Sequence, residues 1–425
     1  MVPCRKVRIL LVAFLAVTTT LVGAPIQARE LWASSDGELA WEGWGYIKSQ
    51  NMGMHFRDIE IYPQNSGAMN AGILRLASDL YWGDARFNLE HEFSFRAMTA
   101  GLDSDTTGLG FGTTQADRPR LFDIDDIDGD GLTLVNNVDR LAVSFPIGAA
   151  DIHIGRQAIS WGSAWFWKPT DRFSPFSPMD IDPDVKRGVD ALRAEIYFGP
   201  STSLDVVATF ERHEHTDREL WVHGGARFRT TIGRYDLAIS AARFQLSEAS
   251  NLMAGLEFTG ELGDVGFRGE AAFNYLPETE EWDVEGVLGA DYHFAMGITL
   301  AGELYYNGLG TDSDGYSEFL LDKTGTTAER LSRGEAFNFG RYYAGIALTQ
   351  EVTPLINLTL SAISNLADPS AFVIAGLQWS VVENGRFTAG ALIPVGEKPD
   401  GLAGKLSSEY GLYPALGYAV LKLSF

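Results

Sequence analysis

Two kinds of ionisable cluster in this sequence have the residue types for chemistry. The first is histidine with carboxylate. His213-Glu214-His215 and His91-Glu92 lack the i, i+4 pair of imidazoles that a helix needs to hold zinc. There is no G-x-S-x-G elbow for a serine nucleophile, and Gly401-Leu402-Ala403-Gly404-Lys405 lacks the spacing and the hydroxyl of a phosphate loop. An enzyme is therefore not expected. The second is the acidic run FDIDDIDGDG. Asp126, Asp128 and Asp130, followed by Gly131, open like a calcium loop, although Asn137 stands where such a loop carries its bidentate glutamate. These three are candidate calcium ligands and the only cofactor site expected. The plainer readings are a solvated acidic loop, or one joined to lipopolysaccharide through divalent cations.

Most other charges alternate with apolar residues. Arg86, Glu90, Glu92 and Arg96 interleave with Phe87, Leu89, His91, Phe93 and Phe95. A helix would scatter such charges around its circumference, whereas a strand puts them on one face. The pattern recurs over residues 204–211, 265–275 and 282–294. Runs of about ten residues match a tilted strand crossing a bilayer. A charge on the lipid face costs about 2–4 kcal/mol near the midplane, so the ionised faces should turn to a watery interior. Candidate pore-lining residues are Arg75, Asp79, Arg86, Glu90, Glu92, Arg96, Arg140, Arg193, Glu195, His223, Arg227, Arg229, Arg268, Glu270, Glu303 and Arg341. Together they would sort solutes by charge, or brace the wall as cross-strand ion pairs.

Composition fits such a frame. The 425 residues carry 33 Lys+Arg against 56 Asp+Glu, a net charge of −23, and one cysteine. That acidity argues against nucleic-acid binding, and one cysteine excludes a disulfide scaffold. A content of 45 % hydrophobic and 12 % aromatic residues excludes a disordered chain. Arg5, Lys6 and Arg8 precede an apolar stretch from Ile9 to Val22 and a small-residue exit ending at Ala28. Residues 1–28 read as a cleaved signal peptide, since the apolar stretch falls short of the ~20 residues of a spanning helix. Residues 29–37 would be a short periplasmic segment, too short for the plug of an energised transporter, and residues 38–425 the barrel.

Short connections such as Gly83–Asp84, Gly233–Arg234 and 383–386 alternate with longer ones at 50–70, 98–134, 160–188, 308–339 and 394–409. The expected fold is all-β: a transmembrane antiparallel up-and-down barrel of about 18 strands, with short periplasmic turns and long extracellular loops. The strands would run from 38–49 to 413–425; the weakest are the first and those near 140–145 and 387–393, and sixteen strands is the alternative count. Trp82, Phe210, Phe228, Tyr235, Tyr275, Trp282, Phe294, Tyr306, Trp379 and Phe387 end apolar runs, as aromatic girdles do. The last strand alternates Tyr413, Ala415, Gly417, Ala419, Leu421, Leu423 and Phe425. It resembles the C-terminal strand of Gram-negative outer-membrane proteins, which implies recognition by the barrel-assembly machinery through Phe425.

The third long connection combines six large aromatics with cations, and Pro169, Pro175, Pro178 and Pro183 bar it from a central strand. It would fold inward to narrow the pore, or cap it from outside; Arg156, Trp161, Lys168, Arg172, Lys186 and Arg187 are the constriction candidates. Arg156 breaks the alternation of Ile152 and Ile154, so a bulge or a place above the bilayer is expected. Gly155-Arg156-Gln157, Trp161-Gly162, Pro169-Thr170-Asp171 and Lys186-Arg187-Gly188-Val189-Asp190 resemble porin-like outer-membrane proteins related to alginate-export channels. The resemblance implies a monomeric channel of about 18 strands; the mixed signs of the lumen candidates depart from an arginine-rich polysaccharide path. The expected function is a porin-like outer-membrane channel for small polar or charged solutes, with export of a polymer as the alternative and an outer-membrane enzyme or adhesin behind it. Expected partners are outer-membrane lipid, lipopolysaccharide, the assembly machinery and the solute itself.

Overall fold

A computed structural model describes residues 29–58, 64–99, 120–122, 127–129, 132–178, 185–212, 219–312, 316, 325–398 and 406–425. One antiparallel sheet contains every described strand. In chain order the strands are β1 (Arg29–Ala33), β2 (Leu39–His55), β3 (Ser66–Trp82), β4 (Ala85–Met98), β5 (Ile127–Gly129), β6 (Leu132–Ile147) and β7 (Ala150–Gln157). Next come β8 (Val189–Gly199), β9 (Thr202–Arg212), β10 (Leu220–Ile232), β11 (Tyr235–Gln245), β12 (Ser250–Leu262), β13 (Val265–Leu276) and β14 (Glu281–Phe294). The last are β15 (Ile298–Asn307), β16 (Tyr342–Thr353), β17 (Ile356–Asn365), β18 (Ser370–Val382), β19 (Gly385–Val395) and β20 (Ala415–Ser424). Among the described residues the helix α1 (Gly325–Ser332) lies between β15 and β16.

Eighteen strands close the cylinder. Neighbours in sequence pair antiparallel, β4 pairs directly with β6, and β20 returns to β2 from Tyr46↔Ser424 to His55↔Ala415. The short β5 only adds to β6. Residues 29–37 hold a strand where only a short segment was expected. β1 takes the stretch of β2 that β20 does not reach, pairing Arg29 with Gly43 and Ala33 with Ala40. Gly45 and Phe425 exchange N–H···O bonds of 2.7 and 2.8 Å between the two. β2 is thus paired along both edges, which leaves no open edge at the seam.

Several strands are longer than the sequence pattern suggests. The first runs to His55 rather than Ser49, the one near 140–145 spans Leu132–Ile147, and the one near 387–393 spans Gly385–Val395. In β2 the outward positions Asn51, Gly53 and His55 are exposed and not apolar, yet pairing continues to His55↔Ser66. Alternation reports contact with lipid; a hairpin that rises above the lipid keeps its hydrogen bonds and loses the pattern.

The outer face is apolar. On β12, Leu252, Leu256 and Phe258 are exposed (Leu256 51 %) while the intervening Glu257 is 6 % exposed. Trp82, Tyr235, Phe294 and Trp379 ring the short-turn end, and Tyr275, Trp282, Tyr306 and Tyr342 ring the other; all eight are exposed. Phe210 and Phe387 are only partly exposed. Trp282 and Phe294 lie twelve positions apart on β14. At ~3.4 Å per residue and a tilt of ~35–45°, they stand about 30 Å apart along the axis, the thickness of a hydrocarbon core. Eight turns of two or three residues close one end, and the connections at the other are longer. Residues 1–28, Asp126, Asp130, His213, His215 and 401–405 lie outside the described residues; Asp128 falls in β5, opposite Thr133.

Candidate functional site

Ion pairs lock most of the inward charges to the wall. Buried Arg75 on β3 binds Glu90 (2.6 Å) and Glu92 (3.3 Å) on β4 and reaches Asp139 on β6. Asp139 is the extra residue of a bulge, since β4 pairs Glu90 with Arg140 and His91 with Val138. The phase change turns Asp139 and Arg140 both inward, and Arg140 donates to Asp139 and to the Lys186 carbonyl (2.5 Å). Asp79 accepts two bonds from Arg86, of 3.0 and 2.9 Å. Arg193 pairs with Asp205 (2.8 Å) and Glu195, and Arg227 reaches over β11 to Glu257 (2.8 and 2.6 Å). Buried His223 lies between Glu211 (3.0 Å) and Arg333 (3.2 Å). Losing one partner of a buried pair costs about 3–5 kcal/mol, whereas an exposed pair contributes ~0–1 kcal/mol. The locked residues brace the wall first.

Residues 158–178 fold back inside the barrel, as the inward reading of this connection requires. Two wall carboxylates grip their backbone. Glu270 on β13 accepts the N–H groups of Ser163 and Ala164 (2.7 Å) and the Thr170 hydroxyl (2.9 Å). Glu303 on β15 accepts those of Trp165 and Phe166 (2.7 Å). Hydrogen bonds to a charged group contribute ~1.5–3 kcal/mol each, enough to hold a proline-rich segment that has no strand partners. Side chains complete the fit. Trp161 is buried with its Nε1 on Asp205 (3.0 Å), and Trp167 stacks on Tyr305 at 5.1 Å and donates to Asn338 (3.0 Å). Phe166 lies on Gly345 of β16, where a Cβ would come within 2.7 Å of the ring.

The six constriction candidates divide. Arg172 is buried in an ion pair with Glu285 on β14, and Lys186 binds Asp171. Lys168 and Arg187 contribute backbone carbonyls, to the Asp171 N–H (3.0 Å) and the Ser174 hydroxyl (3.0 Å). Arg156 belongs to β7 rather than the loop. It clasps Asp190 (2.9 Å) and the carbonyls of Val138 and Phe122. The distortion expected beside it sits at Gly155, whose φ of +114° only glycine adopts readily. Of the lumen candidates, Arg229 is exposed on β10 and Arg96 part-exposed on β4, whereas Arg341 precedes β16 and stands 3.8 Å from Asp312 of the neighbouring loop.

Two surfaces stay wet. Arg86, Asn88, Glu90, Glu92, Ser94 and Arg96 form the inward column of β4, and each keeps some exposure along the whole strand. Trp165 is 51 % exposed although it sits inside the cylinder, with Arg268 4.7 Å from its ring centroid. Arg268 in turn binds Asp291 (2.5 Å) and the Ser163 carbonyl (3.0 Å). A row not anticipated from sequence joins three strands at the short-turn half. Arg386 is directly opposite Lys422, and Lys422 opposite Lys48, with the Tyr46 ring 4.3 Å from Lys422 and 5.9 Å from Lys48. The alternation of Ala419, Leu421 and Leu423 already turned Lys422 inward; reading outward positions alone left it unused.

Described loop residues pack into a partial roof at the long-loop end. Met52, Met54, Tyr305, Tyr343, Phe372, Tyr410 and Leu416 form one buried cluster there. Two buried glutamates hold this roof differently. Burial would raise the Glu335 pKa, but Arg330 and Arg172 outweigh it and hold the carboxyl at about 2. Burial dominates at Glu409, which has only neutral donors: Tyr343, Asn365 (2.8 Å), Asn338 (3.1 Å) and the Phe339 N–H (3.1 Å). Its carboxyl is pushed up.

No family model and no curated protein matches the sequence. Solved structures do match. OccAB3 of Acinetobacter baumannii superposes with a TM-score of 0.56 at 9 % identity, over 91 % of this chain and 99 % of that one. A BenF-like porin from Pseudomonas fluorescens Pf-5 gives 0.53 at 11 %, over 91 % and 98 %. The outer membrane protein opdK from Pseudomonas aeruginosa gives 0.52 at 10 %, over 90 % and 98 %. The chain has the porin fold. At such identity the likeness lies in the backbone of that porin fold, and the side-chain chemistry above is this chain's own. The resemblance of residues 155–190 to alginate-export channels gains no support from these neighbours.

Proposed function

We propose that the protein is an outer-membrane channel that passes small polar solutes by diffusion. The observation that carries this reading is the segment 158–178, anchored inside an apolar-skinned cylinder by Glu270 and Glu303. A loop so held narrows the passage without closing it at Trp165 and along the β4 column, both of which face water. Selection would rest on width and on the wall charges. The structural neighbours described as porins support the same role. Export through Ala28 cleavage and delivery to the assembly machinery through Phe425 belong to this proposal.

Single-channel recording in planar bilayers tests it, with the reversal potential measured across a KCl gradient. Discrete conductance steps are expected, smaller than those of an unobstructed barrel of this strand number. Purified, folded protein that gives none would sink the reading. A polymer exporter is the weaker alternative, because the anchored loop and the packed roof leave a narrow passage.

A further inference from the structure

We propose that Trp165 is a stacking platform for uncharged ring-shaped solutes, pyranoses being the class that fits; this rests on the channel reading above. Trp161 and Trp167 of the same loop are buried, yet Trp165 presents half of its surface to the lumen. The indole is held in place. Its backbone N–H is fixed by Glu303, and one ring face lies on the Arg268 guanidinium, itself tied to Asp291 and the Ser163 carbonyl. A rigid aromatic exposed to water loses little freedom when a ligand covers it.

Chemistry around the ring selects the ligand. The remaining surface of the indole is electron-rich and favours positively polarised C–H groups, such as the axial hydrogens of a sugar, over an anion. Glu270, Glu303 and Asp291 set three carboxylates around the site against the one guanidinium of Arg268. That balance disfavours a negatively charged ring. Asp291, which keeps some exposure, can accept a sugar hydroxyl as it binds Arg268. A few oriented polar groups beside an apolar platform are what a small-molecule subsite requires.

The test uses full-length protein in planar bilayers and three probes of similar size: methyl α-glucopyranoside, its anionic relative glucuronate, and open-chain sorbitol. The glucoside is expected to interrupt the ion current in a concentration-dependent way, with glucuronate weaker and sorbitol without effect. Trp165→Ala should weaken the glucoside at least tenfold, read as fractional block of each channel's own KCl current, and Trp165→Phe should keep most of the binding. Sorbitol as effective as the glucoside, glucuronate stronger than it, or an unchanged Trp165→Ala channel would each overturn the proposal while leaving the channel reading intact. If the wild-type protein does not conduct, the channel reading fails. Quenching of tryptophan fluorescence in detergent by the glucoside, compared between wild type and Trp165→Ala, then decides the platform separately.

Discussion

The wall from β3 to β15 and the wall from β16 to β20 solve the same problem differently. The first carries carboxylates and guanidinium groups in nearly every strand and satisfies them by pairing across strands or by gripping the inward loop. The second turns Thr349, Asn357, Thr359, Ser361, Gln378, Ser380 and Thr388 inward, short and uncharged, with its cations gathered at Arg386 and Lys422. The loop leans on the first wall and meets the second at β16, where Phe166 lies on Gly345 and Trp167 approaches Tyr343. The difference separates two uses of polarity inside a barrel. Dense pairing fixes geometry, whereas a few cations among short polar side chains set the field that a passing solute meets.

The largest effect is expected where pairing is densest. Arg75→Met strands Glu90 and Glu92 and leaves Asp139 with Arg140 as its ion partner, and should cost about 3–5 kcal/mol in urea unfolding of the barrel in lipid vesicles. A loss below ~1 kcal/mol would show that the braced wall is not held by its charges. In the roof, Glu335→Gln should cost about 3 kcal/mol at pH 7, from ~1.4 kcal/mol per pKa unit between 4.5 and about 2. That contribution is complete above pH 4.5 and lost as pH falls toward 2. Glu409 runs the other way: with its pKa raised in the fold, its ionised form weakens the roof, and protonation on acidification restores what ionisation removed. Glu409→Gln should therefore be neutral or stabilising at pH 7. Equal losses for the two variants would contradict the assigned causes.

Smaller changes probe the boundary between the walls. Gly345→Ala pushes into the Phe166 ring and should cost about 1–3 kcal/mol while changing conductance. An unaltered single-channel trace would place the loop elsewhere in solution. The mildest change is Arg386→Gln with Lys422→Gln, expected within ~0.5 kcal/mol in stability. The cation-to-anion permeability ratio should rise about twofold at low salt and less at high salt. A shift toward anions would overturn the role given to these cations.

Alternation made the cylinder legible because lipid outside and water inside impose a period of two on every strand. It failed at three kinds of place. Asn51 and His55 lie in a hairpin above the lipid, where the outer face no longer needs to be oily. Asp139 sits in a bulge that shifts the phase by one. Arg156 keeps the register of β7 and is held by Asp190, the residue directly opposite it, so its partner and not the alternation explains its burial. Of the site, the inward turn of the third connection could be suspected from its prolines and aromatics. Its anchors could not, because Glu270 and Glu303 look in sequence like any other inward carboxylate. Only their distance to backbone N–H groups tells an anchor from a charge filter. The partners Asp205, Glu257 and Glu285 were missed for a similar reason: Arg193 meets Asp205 on the next strand, Arg227 reaches over β11 to Glu257 and Arg172 comes from the loop to Glu285, so no common spacing marks them.

Glu270 and Glu303 take hold of peptide groups, which every residue type except proline presents alike. The half-exposed side chain of Trp165 can therefore be exchanged while the two clamps stay closed, whereas Ala164 and Phe166 are packed. Within this barrel, what is admitted can drift or be redesigned by swapping that exposed group on a fixed rail, with the scaffold itself untouched.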